Sequence, residues 1–136
     1  MKALAVVVLA TLVQVGCNAP PRSAQNTFWG GPNSAEMGER VANRGLYGSL
    51  KIAHVRHSES DGHMRVEFEL LNKSAREIRA EYDVEWFDAT GNTLPAIRAW
   101  RPLTVGGGGM EVLQARASHP DATSWRLHLR GSNPTH

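Results

Sequence analysis

The chain's strongest signal is an alternation of apolar and polar residues with a period of two. Met64, Val66, Phe68 and Leu70 alternate with Arg65, Glu67 and Glu69, which predicts a strand with one face in a core and the other in water. The next run repeats the pattern. Ile78, Ala80, Tyr82, Val84 and Trp86 share one face, and Arg79, Glu81, Asp83 and Glu85 share the other. Ser58 to Gly62 reads as a polar turn back to a strand over Leu50–His57, and Asp88-Ala89-Thr90-Gly91-Asn92 reads as the turn that ends the second run. Further strands are expected over Ile97–Leu103, kept short or at an edge by Pro95 and Pro102, over Met110–Ala117, and over Ser124–Arg130. In the last of these Trp125, Leu127 and Leu129 alternate with Arg126, His128 and Arg130. Six or seven short strands with no long helical period predict an all-β fold, an antiparallel β-sandwich over residues 49–130 with a tail at 131–136.

Before residue 49 the period disappears. Residues 17–48 are rich in Gly, Pro, Asn, Ser and Ala, the composition of a flexible tether. Glu36 to Asn43 has room for one or two helical turns, too few to stand alone. Phe28 and Trp29 are unusual in such a segment. They are expected either to dock on the domain or lipid surface or to serve as a partner-binding motif.

Residues 1–16 have the form of an export signal: Lys2, then an apolar stretch from Ala3 to Val15 broken only by Thr11 and Gln14. The stretch falls short of the roughly 20 residues a transmembrane helix requires. Gly16 and Cys17 follow, and a single cysteine at this place looks like a bacterial lipobox, although Gln14 and Val15 depart from its usual residues. The expectation is a thiol that takes diacylglycerol, cleavage before Cys17, and acylation of the new amine. The rival is an ordinary signal peptide cut after Ala19, which Pro20 disfavours. Two or three acyl chains anchor a protein stably where one does not. Asn18 in place of Asp after the cysteine favours the outer membrane, with the domain facing the periplasm.

Composition narrows the choice of partners. Fifteen Lys plus Arg against 13 Asp plus Glu give a formal net charge of +2, and Lys2 leaves with the leader. So small an excess is no nucleic-acid footprint. With Cys17 the only cysteine, no disulfide braces the domain.

Three clusters carry residue types that could do chemistry. His54 and His57, with His63 and Met64 across the turn, carry the donors of a soft-metal site, but no convincing third or fourth ligand joins them, so no metal is expected. Gly106-Gly107-Gly108-Gly109 is followed by strand-like Met110-Glu111-Val112-Leu113 and lacks the Lys-Ser/Thr of a phosphate loop. Glu67, Glu69, Glu81, Asp83 and Glu85 are expected on a solvated face with cross-strand ion pairs to Arg65, Arg76 and Arg79, not as a hydrolase pair in a cleft. No Ser or Cys nucleophile comes with a motif. An enzyme is not expected, nor a cofactor or small-molecule substrate.

The run Tyr82-Asp83-Val84-Glu85-Trp86-Phe87-Asp88-Ala89-Thr90-Gly91 resembles the Y-x-x-x-W-x-D-x-x-G core of the YcfL-like family of Gram-negative lipoproteins. Asn72-Lys73-Ser74, Trp100-Arg101-Pro102-Leu103 with its glycine-rich turn, and the stretch from Ala117 to Arg130 agree in order. The resemblance covers roughly residues 44 to 130. It implies an Ig-like sandwich on a lipid anchor and carries no catalytic residues, since the family is a domain of unknown function. Its members often lie beside genes for lipoproteins that activate peptidoglycan synthases. Tyr82, Trp86 and Trp125 then become core, while Trp100 either covers one end of the sandwich or is exposed for recognition.

The expected function is a non-enzymatic, lipid-anchored module that binds an envelope protein, with Trp100, Arg101 and Trp29 as candidate contacts. The alternatives are a structural accessory linked to peptidoglycan synthesis or, less favoured, a periplasmic metal binder.

Overall fold

The alternating runs fold into strands that pair antiparallel in two sheets. The computed structural model describes residues 24–34 and 36–132, so the leader and Cys17 lie outside the described residues. In chain order the elements are β1 (Gln25–Gly30), β2 (Gly38–Arg40), α1 (Arg44–Ser49), β3 (Leu50–Ser60), β4 (His63–Asn72), β5 (Ile78–Phe87), β6 (Arg101–Val105), β7 (Met110–Arg116) and β8 (Ser124–Gly131). One sheet has the order β2-β1-β8-β5-β6 and the other β3-β4-β7. The fold is the expected antiparallel β-sandwich, with eight strands where six or seven were expected.

The core lies between the sheets. Val66, Phe68 and Leu70 of β4 meet Trp125, Leu127 and Leu129 of β8, all no more than 2 % exposed. Phe68 and Trp125 pack edge to face with ring centroids 4.7 Å apart, the arrangement that the ring quadrupoles favour. The Trp125 indole Nε1 donates to His57 Nε2 at 2.8 Å, joining the sheets through a polar contact. Burial lowers the pKa of His57, because desolvation penalises its charged form. That favours the neutral ring, whose Nε2 can accept.

The turns follow from their residues. Asp61 and Gly62 both have positive φ, 50° and 76°, as a two-residue hairpin between twisted strands requires. The expected turn at Ser58–Gly62 therefore shrinks to two residues, and β3 runs on to Ser60. At the opposite end Asn72 is fully buried and acts as a hub. Its amide nitrogen donates to the carbonyls of Arg76, Val105 and Gly106, and its oxygen accepts from Ser74 N. The glycine run sits against this hub. A Cβ on Gly107 would lie 2.2 Å from Ala75 O, and Gly108 has φ 67°, so the glycines serve close packing and a left-handed turn.

The largest departure from expectation lies in the tether. Gln25–Gly30 is a strand paired along its length with β8, from Gln25↔Arg130 to Gly30↔Trp125, and Phe28 is 4 % exposed in the core. Asn26 faces inward and is buried as well; its side chain accepts from Ala42 N and Asn43 N and donates to Asn43 O. The helical turn expected over Glu36–Asn43 is displaced. Gly38–Arg40 is β2, and the single short helix among the described residues begins after Asn43, whose side chain caps it by accepting from Leu46 N.

A second departure is β6, which starts at Arg101 and not at Ile97. Residues 94–100 leave the sheet, with Ile97 95 % exposed. Pro95 lacks the N–H a strand would use. The residues around Arg98 are drawn to the outer face of the five-stranded sheet, where Arg98 meets Asp83 and Glu85.

Candidate functional site on the outer face of the five-stranded sheet

Strand register aligns the outward side chains of β1, β8 and β5 in rows. Trp29 lies beside Arg126 and Arg126 beside Glu85; Thr27 beside His128 and His128 beside Asp83; Gln25 beside Arg130 and Arg130 beside Glu81. The segment from Thr93 to Trp100 folds over the middle of this array. Arg98 Nε donates to Asp83 Oδ2 at 2.5 Å, and its Nη1 donates to Glu85 Oε2 at 2.8 Å. His128 Nε2 lies 2.5 Å from Glu85 Oε1, and its Nδ1 lies 3.1 Å from the Thr27 hydroxyl. Trp100 stands edge-on to His128 at 6.5 Å, and the Arg130 guanidinium lies 3.9 Å from the centroid of its ring. Arg130 also donates to Glu81 at 3.2 Å.

The carboxylates of β5 are therefore not a solvated stripe. Asp83 and His128 are 7 % and 5 % exposed, and Glu85 is nearly as well covered. Burying carboxylates and other polar groups is costly unless each one is paired or hydrogen-bonded. Here each is. The hydroxyl, imidazole and carboxylate of Thr27, His128 and Glu85 follow one another as in a proton relay, but the Glu85 carboxylate is shared with Arg98. The chain's evident work is to clasp residues 93–100 to the sheet.

Around the clasp, aromatic rings alternate with arginines at the surface. Trp29 is 42 % exposed, its indole seated over Gly38, where a Cβ would clash at 2.2 Å. Arg126 sits 4.8 Å from the centroid of the Phe87 ring. Rigid aromatic area beside planar, multiply donating guanidinium groups is the composition of protein-binding hot spots.

Residues 38–131 match a family described as a protein of unknown function, DUF1425. The chain belongs to the DUF1425 family. A solved family member from Shewanella sp. pv-4 is 18 % identical, with a TM-score of 0.57 over 76 % of this chain and 87 % of that one. Campylobacter jejuni cj0090 is 24 % identical, with a TM-score of 0.50 over 60 % of this chain and 85 % of that one. At these identities the likeness speaks to the fold alone. No curated protein matches.

In this DUF1425 domain the three contact candidates do not form one patch. Trp29 and Trp100 share the outer face, whereas Arg101 pairs with Tyr82 and lines a cleft between the two sheets. Trp100 neither caps an end of the sandwich nor projects freely. It lies half-buried on the sheet face, under Arg130. Arg126, Arg130, Phe87 and Arg98 complete the surface and were not singled out in the sequence, although the alternation of Arg126, His128 and Arg130 already set them on one side of their strand. Among the histidines, His57 lies opposite Val66 and accepts from Trp125, while His63 Nδ1 donates to Ala117 O at 2.9 Å. Among the described residues no group of three or more His, Cys, Asp or Glu is arranged to hold a metal ion.

Proposed function

We propose that this DUF1425 protein is a non-enzymatic lipoprotein, anchored through Cys17 in the outer membrane and facing the periplasm, whose sandwich binds another envelope protein. The observation that carries the reading is the exposed Trp29 beside Arg126, continuous with Phe87, Trp100 and Arg130 on one rigid sheet face. The partner contacts this face, and the clasped segment 93–100 holds its shape before binding, which lowers the ordering cost of association. No cofactor or small-molecule substrate enters the reading.

Two experiments test it. Labelled palmitate should enter the wild type and be lost in Cys17→Ser; label that persists, or a wild type that is fully soluble after osmotic shock, rejects the anchor. A photo-crosslinker placed in the lipidated protein at exposed Met37, next to the Gly38 that pairs with Trp29, should capture one dominant envelope protein. Trp29→Ala with Arg126→Ala should abolish that capture while leaving the urea midpoint nearly unchanged. Capture that survives both changes rejects this face as the binding surface.

A further inference from the structure

The side of the sandwich where β6 is short carries a feature the outer face does not use. Past Tyr82 the edge of β5 loses its β6 partner, and the chain returns only at Leu94, whose N donates to Trp86 O. Across the gap stands β7, the last strand of its sheet, which pairs with β4 on one side only. Between them lies a cleft of about 760 Å³ floored by Tyr82, Val84, Trp86 and Ala115 and flanked by Arg101 and Arg116. That volume falls within the range of specific ligand sites.

We infer that this cleft is a binding site for an extended peptide segment that carries carboxylates and adds as a strand along the open edge of β7. Three observations converge on that class of ligand. An unpaired strand edge offers a ladder of backbone donors and acceptors, which a peptide can complete and an acyl chain cannot. The apolar floor suits the side chains that an added strand would place inward at every second position. The charge at the rim is positive and free. Among the described residues neither Arg101 nor Arg116 is in an ion pair, and the carboxylate that also lines the cleft, Asp83, is already held by Arg98. Arg116 lines the cleft too, but its guanidinium bonds the Ser60 carbonyl at 3.3 Å, across β4 and away from the open edge. The Arg101 guanidinium thus remains to take up a carboxylate, and charge-assisted bonds of this kind are the strong ones.

The test is panning of a random ten-residue peptide library on the full chain in detergent, with counter-selection on Arg101→Glu. Arg101 is exposed, so the variant should keep the wild-type urea midpoint, and that is checked first. Selected peptides should alternate apolar residues with Asp or Glu and protect the β7 amides from hydrogen exchange. They should lose roughly tenfold or more in affinity for Arg101→Glu. Ala115→Trp, which fills the cleft, should block them as well. Trp29→Ala/Arg126→Ala should leave them untouched, which separates this site from the outer face. Failure to recover arginine-dependent binders, binders without carboxylates, protection that maps elsewhere, or displacement of the peptides by decanoate each overturns the assignment.

Discussion

The outward faces of the two sheets begin from almost the same sequence and end in opposite environments. On β4, Glu67 and Glu69 alternate with core residues; on β5, Asp83 and Glu85 do the same. The β4 carboxylates stay at the surface. Arg56 reaches Glu69 at 2.8 Å with most of its side chain in water, and Gln114 bridges Glu67 and Arg65. The β5 carboxylates are sealed under Arg98 and packed against His128. The strands differ little; the connections differ greatly. β3 and β4 are joined by Asp61 and Gly62 alone, so nothing is available to cover their outer face. β5 and β6 are separated by residues 88–100, long enough to fold back over the sheet. Alternation decides which side chains face outward, and loop length decides whether outward means wet.

The comparison can be broken or sharpened by substitution. The largest effect should come from the residue that both sheets share. Trp125→Ala removes the ring packed on Phe68 and the donor to His57, and should cost about 3–5 kcal/mol in urea melts. Since such domains hold about 5–15 kcal/mol in total, the variant will be marginal at 37 °C.

Next comes the contrast itself. Glu85→Ala takes the carboxylate from His128 and one of the two acceptors from Arg98, which keeps Asp83, and should cost about 2–3 kcal/mol, as losses of hydrogen bonds to charged groups do. Glu69→Ala, at the equivalent place on β4, should cost less than about 1 kcal/mol, the ordinary value of an exposed ion pair. Equal losses at the two positions would dissolve the distinction between the faces.

Salt should sharpen it. Raising NaCl to about 1 M shortens the screening length to about 3 Å. Whatever Glu69 contributes should then vanish, while the penalty of Glu85→Ala persists.

The smallest expected effect is a dependence on pH through His57. Its folded pKa is lowered by burial, so the folded state favours the neutral ring more than the unfolded chain does. The stability this provides is complete above the unfolded value of about 6.5 and is lost as pH falls from there through the folded value. A Gln at 57 keeps a polar partner for the indole and does not titrate, so His57→Gln should flatten that part of the stability–pH curve. An unchanged slope would assign it to another group.

Much of this was legible in the chain because period-two alternation survives translation into strands. The inward sets on β4 and β8, the turn at Asp88, and Trp86 and Trp125 as core all follow from it. Asp88 behaves as a turn residue should: hydrogen bonds from Thr90 and Asn92 hold its carboxyl below the usual range. What escaped has identifiable causes. β1 was hidden because an inward position is occupied by Asn26, whose burial is sensible only once Ala42 and Asn43 are known to meet it. The clasp was hidden because Arg98 is far in sequence from Asp83 and Glu85, and only the fold brings a loop arginine to a strand carboxylate. Tyr82 shows a milder failure. It points inward as the alternation requires, yet it is half-buried, because β6 ends its pairing there and opens the cleft.

The inclusion of β1 in the sheet also sets how far the domain can travel. With a lipid on Cys17, as proposed, only residues 18–24 separate the bilayer from a strand fixed along its length to β8. A chain of that length spans at most about 25 Å when fully extended. The sandwich is thus held on a short leash and samples a thin layer next to the membrane. A partner must reach into that layer itself, and lengthening the segment before Gln25 would widen the layer without altering a single contact in the domain.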